Sequence, residues 1–123
     1  MPNQIVWFDL PVRDLDRSIK FYSAILGCSA QKQQFPGMTF AVLPHEKGEI
    51  GGCLTPGAPG EQAKPSQDGP LLYFNCQGRL DEAIRAVESN GGKVLQSKHS
   101  IGSHGFRAIV LDSEGNRIAL HSM

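Results

Sequence analysis

The reactive side chains of this sequence are scattered, and none of them forms a short metal-binding or nucleophile motif. The three cysteines, Cys28, Cys53 and Cys76, include no CxxC pair. His99 and His104 are five residues apart in the segment 97–105, which is predicted to be a loop, and this spacing suits no simple pair of metal ligands. Any site must therefore be assembled from segments that are distant in the sequence.

Three reactive side chains lie in segments with strand character, namely Asp9, Cys53 and His121. An aspartate and an imidazole can act as general base and acid, and a cysteine beside an imidazole can become a thiolate nucleophile. Facing strands could bring Cys53 and His121 together as such a pair. Each residue also has an ordinary structural interpretation, because strand-borne cysteine usually packs and Asp9 could form an ion pair with Arg117.

Apolar periodicity predicts one helix and four strands in the first half of the chain. Asp14 is placed to cap the helix, whose apolar residues recur from Leu15 at spacings of 4, 3 and 4 until Gly27 ends it. The predicted strands of this half are the segments 5–12, 28–35, 38–43 and 50–54.

The same order of elements returns in the second half. A second helical stripe runs from Leu80 to Val87 and stops at residues 90–92. Between the halves, residues 55–69 contain three prolines and no apolar period, which predicts a linker. The predicted strands of this half are the segments 71–76, 93–98, 106–111 and 117–121.

This restart is an internal repeat. Shifts of 65 and 68 residues each align a 17-residue window with five identities, where average residue usage would give roughly one. The 68-residue shift also matches Cys53 with His121. The repeat predicts a single α+β domain over residues 1–123. Module 1 covers about 1–54 and module 2 about 70–123, and each is a βαβββ unit.

Each predicted module has one helix, which can cover only one face of its sheet. Two such sheets set edge to edge would form a cup-shaped half-barrel of mixed sheet, with the helices outside. Concave surfaces of this kind are where small ligands bind.

Three segments carry a family resemblance. Residues 7–22 with Leu26 and Gly27, then residues 90–94 and 112–118, resemble the markers of the glyoxalase / bleomycin-resistance / extradiol-dioxygenase (vicinal oxygen chelate) superfamily. The resemblance implies the same two-module cup. It also implies a wide choice of functions, since the superfamily includes isomerases, dioxygenases, thiol transferases, epimerases and drug-binding proteins.

Catalytic members of that superfamily usually hold one divalent metal with His, Glu or Gln from the first and last strand of each module. Carried onto this sequence, those ligand positions fall on Trp7, Gly51, Leu71 and Ala119. None of these side chains offers a lone pair that a cation would use. We therefore expect no metal site and no cofactor.

Strand alternation predicts which residues would line the cup instead of metal ligands. The predicted ligand-binding residues are Trp7, Asp9, Tyr73, Asn75, Arg117 and His121. Aromatic walls with a few polar groups suit a planar or apolar small molecule. The favoured interpretation is a metal-independent, glyoxalase-like protein that binds a small organic molecule, such as a metabolite or an aromatic antibiotic.

Two alternatives remain open at this stage. One is a glyoxalase- or dioxygenase-type enzyme (a lyase, isomerase or oxidoreductase) that uses Asp9 and His121 as acid and base, with Cys53 as a further catalytic candidate. The other is a structural or regulatory dimer whose cup is filled by side chains.

Composition limits the partners that this chain could take. Its 12 basic and 12 acidic residues form no long run of either sign, which argues against a nucleic-acid or membrane-surface role. Its apolar runs are too short to span a bilayer, and the N-terminus lacks the pattern of a secretory signal. An odd number of scattered cysteines favours the cytoplasm, and exposed sheet edges favour a homodimer.

Overall fold

A computed structural model of the chain describes residues 2–57 and 64–123, with the backbone alone at position 35. The elements of module 1, in chain order, are β1 (Trp7–Pro11), α1 (Leu15–Leu26), β2 (Gln31–Phe35), β3 (Met38–Val42) and β4 (Gly51–Thr55). The elements of module 2 are β5 (Leu72–Asn75), α2 (Leu80–Ser89), β6 (Lys93–Ser100), a 3-10 turn (Gly102–His104), β7 (Phe106–Leu111) and β8 (Arg117–Ser122).

Both modules have the same sheet topology. The strand orders are β1-β4-β3-β2 and β5-β8-β7-β6, with the first strand of each module parallel to the last and the other pairs antiparallel. Neither sheet closes, and no strand pairing joins the two sheets in the described part of the chain. The predicted α+β fold of two βαβββ modules in a half-barrel arrangement is confirmed. β1 and β5 are both edge strands, and Pro11 is tolerated in β1 for that reason.

Helix α1 begins and ends where local chemistry predicts. The Asp14 side chain accepts a hydrogen bond from the Arg17 backbone N–H at 3.0 Å, which satisfies one of the free donors of the first turn. Gly27 ends the helix in the left-handed conformation, with φ of 68°. The buried face of the helix presents Phe21, Tyr22 and other apolar side chains to the core.

One apolar core serves both modules. Side chains from β1, α1, β5, α2 and β8 belong to a single buried cluster. The ring of Phe74 on β5 lies 5.8 Å from that of Phe8 on β1 and 5.2 Å from that of Tyr22 on α1, measured between centroids. The helix-facing sides of the two sheets are therefore packed against each other.

A polar network also joins the modules. The buried Glu114, in the turn between β7 and β8, accepts hydrogen bonds from the backbone N–H groups of Arg13 and Asp14 and from the Arg17 guanidinium, at 2.7–2.9 Å. The Tyr22 hydroxyl donates to Asp112 at 2.5 Å. This turn therefore fastens module 2 to the start of α1.

The structure corrects one sequence prediction about the second module. Strand β6 continues to Ser100, so His99 belongs to a strand that pairs with Arg107 of β7 and does not lie in a loop. The predicted loop shrinks to the short 3-10 turn around His104. Pairing with β7 stabilises the extension despite irregular register in the middle of β6. The predicted linker lies partly outside the described residues, and its first residue belongs to β4.

No helix in the described ranges, 2–57 and 64–123, is long and apolar enough to cross a membrane.

Candidate functional site

Each sheet has a helix-covered face and an open face. On β1, Leu10 is buried in the core and Phe8 packs against it, whereas Trp7 is 42% exposed and Asp9 is also exposed. β5 repeats the pattern, since Phe74 is buried and Tyr73 is 48% exposed. Alternation along the strands thus places the odd-numbered residues of β1 and β5 on the open face.

The open face of module 1 carries a hydrogen-bonded group that we term the Asp9 cluster: Trp7, Asp9, His45 and Cys53. Asp9 Oδ1 accepts from the Trp7 indole N–H at 3.0 Å and from the Cys53 thiol at 3.1 Å. The His45 ring lies edge-on to Trp7, with 5.6 Å between centroids. A Cβ at Gly51 would lie 2.8 Å from both rings, so glycine at this position leaves room for them.

Cys53 is held as a neutral thiol. Its burial, together with the hydrogen bond to Asp9 and the negative charge of Asp9, raises the pKa of Cys53 to about 12. His121 does not contact this thiol through a hydrogen bond, because its Nε2 donates to the His104 carbonyl at 2.6 Å. The structure therefore gives no support to a thiolate–imidazole pair of Cys53 and His121.

The open face of module 2 carries a second group, which we term the Arg107 cluster: Tyr73, His99, Arg107 and His121. Arg107 Nε donates to His99 Nε2 at 3.0 Å, and its Nη1 donates to the Tyr73 hydroxyl. The His121 ring lies edge-on to Tyr73, 6.0 Å between centroids.

The Arg107 cluster borders a cavity of about 540 Å³, here called the Arg107 cavity. A volume of this size lies within the usual range for small-molecule sites. Its walls combine Tyr73, Ile101, Ser103, Arg107, His121 and Met123.

Two of the predicted ligand-binding residues lie together elsewhere. Asp9 and Arg117 line a cleft of about 320 Å³ between β1 and β8, with Lys64 at its rim. They form no ion pair, since Asp9 accepts from Trp7 and Cys53 instead. The Arg117 Nε atom is buried without a hydrogen-bond partner in the described residues.

The structure thus distributes the predicted site residues over several surfaces, one of which is a cavity of about 870 Å³ that Tyr73 and Asn75 line together with Phe8 and Gly51. Trp7, Asp9 and Cys53 form one cluster, and Asp9 also meets Arg117 in the narrow cleft. Tyr73, Asn75 and His121 share a third space of about 350 Å³ beside the Arg107 cavity. Among the described residues, no hydrogen bond or ring contact joins the Asp9 cluster to the Arg107 cluster. The six residues do not meet around a single point.

Sequence reasoning missed Arg107 and His45, and it placed His99 in a loop. It sought residues lining the cup only on the first and last strand of each module, whereas Arg107 lies on β7. Applying strand alternation to β7 would have found it, because Ala108 and Val110 are buried in the core and Arg107 lies on the other face. His45 carried no such signal, since it lies outside every strand.

Two of the residues at the family's expected metal positions are neighbours in module 1. Trp7 pairs with Gly51 across β1 and β4, and none of the expected side chains is a donor. In module 2 the register pairs Ala119 with Tyr73. Over the described ranges, no group of three or more His, Cys, Asp or Glu side chains could hold a metal ion.

Comparison with known proteins agrees with this architecture. The model of the Glyoxalase/Bleomycin resistance protein/Dioxygenase superfamily matches residues 4–120, and the chain belongs to that superfamily. It is 28% identical over 112 residues to the glyoxylase-related protein CFP32 of Mycobacterium bovis and to the same-named protein of Mycobacterium tuberculosis. That match covers 90% of this chain and 41% of CFP32, so the chain spans less than half the length of these relatives.

Solved structures share the fold. A glyoxalase/bleomycin resistance protein from Albidiferax ferrireducens aligns over 98% of this chain and 99% of its own, with a TM-score of 0.75 and 22% identity. Glyoxalase I from Zea mays aligns over 93% of this chain and 44% of its own (TM-score 0.67, 24% identity). The fosfomycin resistance protein FosX from Listeria monocytogenes aligns over 100% and 95% (TM-score 0.67, 15% identity). At these identities the likeness concerns the fold alone.

Proposed function

We propose that this protein binds a small organic molecule on the open faces of its sheets, without the help of a metal. The observation that carries the proposal is the Arg107 cavity, a space of about 540 Å³ whose walls are partly aromatic and aliphatic and partly polar. A site of this size with a few convergent polar groups is typical of small-ligand pockets. Metabolites and aromatic antibiotics both have suitable size and chemistry.

The donor chemistry of the expected ligand positions supports the proposed metal independence. An indole, a glycine hydrogen, an isobutyl group and a methyl group stand at Trp7, Gly51, Leu71 and Ala119. Beside Ala119, the hydroxyl of Tyr73 accepts a hydrogen bond from Arg107. A cation brought beside the Arg107 guanidinium would also be repelled by its charge.

Binding is better supported than turnover. Acid–base catalysis by Asp9 and His121 requires both groups within reach of one substrate. Asp9 is engaged with Trp7 and Cys53, and His121 lies beside Tyr73 in the other module. Enzymatic activity of the glyoxalase or dioxygenase type remains the alternative proposal.

A thermal-shift screen of metabolites and aromatic antibiotics, run with and without divalent cations, tests the proposed function. A compound that binds only the folded chain raises the melting temperature, and we expect hits that do not need the cation. Trp7 is the only tryptophan, so its fluorescence reports ligands that reach the Asp9 cluster. If no compound shifts the melting temperature, or every shift requires a metal, the proposal fails.

Metal content gives a separate test. We expect the dialysed protein to hold less than one equivalent of Zn, Ni, Mn or Fe per chain. One tightly held metal per chain, measured by elemental analysis, would contradict this expectation.

We also propose that the chain forms a two-fold homodimer in the cytoplasm. β1 and β5 each leave one edge unpaired, and Val6, Trp7 and Tyr73 beside these edges are exposed apolar residues. A second copy could cover them, with each cup formed either between chains or within one chain. Free Cys28, Cys53 and Cys76 suit a reducing compartment. Light scattering at micromolar concentration should give twice the mass of the chain, and a monomer mass would exclude the dimer.

A further inference from the structure

We propose that the Arg107 cavity recognises an oxyanion, a carboxylate or a phosphate, carried on a small apolar body, and that Arg107 is the residue that binds it. This inference rests on the proposed small-molecule function and specifies the chemical class of the ligand. It concerns module 2, at a distance from the cluster that contains Trp7.

The guanidinium of Arg107 is held in place before any ligand arrives. Its Nε donates to His99 Nε2 at 3.0 Å. Because that nitrogen accepts, His99 carries its proton on Nδ1, which donates to the Ser97 carbonyl at 2.9 Å. On the other side, Nη1 donates to the Tyr73 hydroxyl and the guanidinium carbon lies 5.9 Å from the centroid of the Tyr73 ring. A cation fixed at both ends loses little conformational entropy on binding.

The positive charge of Arg107 has no counter-ion in the described residues. The residues lining the cavity include no Asp or Glu. None of the ion pairs among the described residues involves Arg107. Arg17 and Arg79, in contrast, are paired with Glu114 and Glu82. A half-buried, unpaired guanidinium is a favourable place for an anion.

Hydrogen-bond donors remain free to hold the anion. The two hydrogens on Nη2 and the second hydrogen on Nη1 have no partner among the described residues. Tyr73 receives a hydrogen bond from Arg107, so its own proton is free to donate. Two parallel guanidinium bonds match a carboxylate or phosphate, and the phenol adds a third.

The remaining walls suit an apolar body. The Tyr73 ring, Ile101 and Met123 line the same cavity. An aromatic or branched aliphatic group attached to the oxyanion would bury these surfaces, which favours binding in proportion to the area covered. A bare inorganic anion would lack this contribution and should bind more weakly.

The test uses the full chain and three pairs of probes, each an anion with its neutral counterpart. The pairs are benzoate and benzamide, phenylacetate and phenylacetamide, and benzyl phosphate and benzyl alcohol. Binding is followed by isothermal titration calorimetry and by NMR of the backbone amides near Arg107. We expect the anion of at least one pair to bind about tenfold or more tightly than its neutral counterpart. Comparison of the carboxylate probes with the phosphate probe shows which oxyanion binds more tightly.

Substitution identifies the residue responsible. Arg107→Gln should reduce the affinity for the preferred anion by about tenfold or more and leave the affinity for its neutral counterpart unchanged. Arg107→Lys keeps the positive charge but cannot form two parallel hydrogen bonds, so the loss of anion affinity should be intermediate. Arg85→Gln removes an exposed arginine on α2 and should change neither the anion affinity nor the affinity for the neutral counterpart. Melting curves of each variant verify the fold, and Arg107→Lys serves if Arg107→Gln is unfolded.

The outcomes separate the two proposals. If neutral compounds bind but no anion binds better, or if Arg107→Gln and Arg107→Lys both keep full anion affinity, the anion inference is wrong and the small-molecule function stands. If neither these probes nor any compound of the thermal-shift screen binds, both proposals fail together.

Discussion

Asp9 controls the chemistry of its neighbours because one carboxylate oxygen receives hydrogen bonds from two side chains. The Trp7 indole and the Cys53 thiol both donate to Oδ1. An acceptor bearing negative charge favours the neutral thiol over the thiolate. The surroundings of Cys53 therefore disfavour the thiolate that a nucleophilic role would need.

Removing the Asp9 charge should activate Cys53. In Asp9→Asn the charge that helps to raise the pKa of Cys53 to about 12 is lost, while burial, its largest cause, remains. The pKa should fall, and the thiolate fraction at pH 8.5 should rise roughly tenfold for each unit of that fall. Iodoacetamide labelling of Cys53, quantified by peptide mass spectrometry, measures the change.

Asp16→Asn is the matched control, because Asp16 is exposed and pairs only with Lys32. It should leave the labelling rate of Cys53 unaltered. Equal Cys53 labelling in Asp9→Asn and wild type would show that Asp9 does not set the pKa.

The short connection between β6 and β7 helps to position the Arg107 cluster. The 3-10 turn Gly102–His104 leads into β7 through Gly105, which has φ of 97°. A Cβ at Gly105 would lie 2.3 Å from the Ser122 carbonyl oxygen, so the turn packs directly on the end of β8. This close approach also brings the His104 carbonyl to His121.

The two glycines of this turn should respond differently to alanine. Gly102 has φ of 69° and open space around its Cα, so Gly102→Ala should cost about 1 kcal/mol of unfolding free energy through backbone strain alone. Gly105→Ala adds a backbone clash to the strain and should cost more, about 3 kcal/mol or above. Urea unfolding measures both, and equal losses would contradict the packing of the turn on β8.

The whole molecule depends on contacts between modules as much as on either sheet. Besides the shared core, hydrogen bonds to Glu114 join the modules. Glu114 accepts them from the backbone N–H groups of Arg13 and Asp14, which follow β1, and from the Arg17 side chain on α1. Burial alone would raise the pKa of Glu114, but the hydrogen bonds from Arg17, Asp14, Ser113 and Arg13 outweigh it and lower the pKa to about 2. The ionised carboxylate is thus a stabilising link between the modules.

Glu114→Gln should weaken this link in a pH-dependent way. The folded pKa of about 2 lies below the ordinary value of 4.5, so the contribution is complete above pH 4.5 and is lost as the pH falls toward 2. At pH 7 we expect the variant to lose about 2 kcal/mol of unfolding free energy.

Urea unfolding of wild type and variant between pH 7 and pH 2.5 measures this dependence. The difference between the two should shrink as the pH is lowered. Asp16→Asn, which alters an exposed ion pair, should change stability by well under 1 kcal/mol at pH 7. A difference between wild type and Glu114→Gln that is independent of pH would show that the charge is not the source of the stabilisation.

Local interactions explain what the sequence by itself determined about this protein. Helix α1 could be predicted from its apolar spacing, the Asp14 cap and the left-handed Gly27, because all three act within a few residues. Alternation along a strand likewise assigned Trp7 and Tyr73 to the same kind of face, since side chains of a strand point to opposite sides. The repeat in the sequence predicted the two matching sheets.

Only the tertiary structure decided which of these residues meet. His99 is drawn into β6 by pairing with β7, and Arg107 joins Tyr73 across 34 positions of sequence. Arg17 and Glu114 meet across 97 positions. Such contacts depend on how two modules dock and how strands are registered, and no periodicity within a short window encodes either. The candidate site, with Arg107 at its centre, therefore emerged from packing between distant segments.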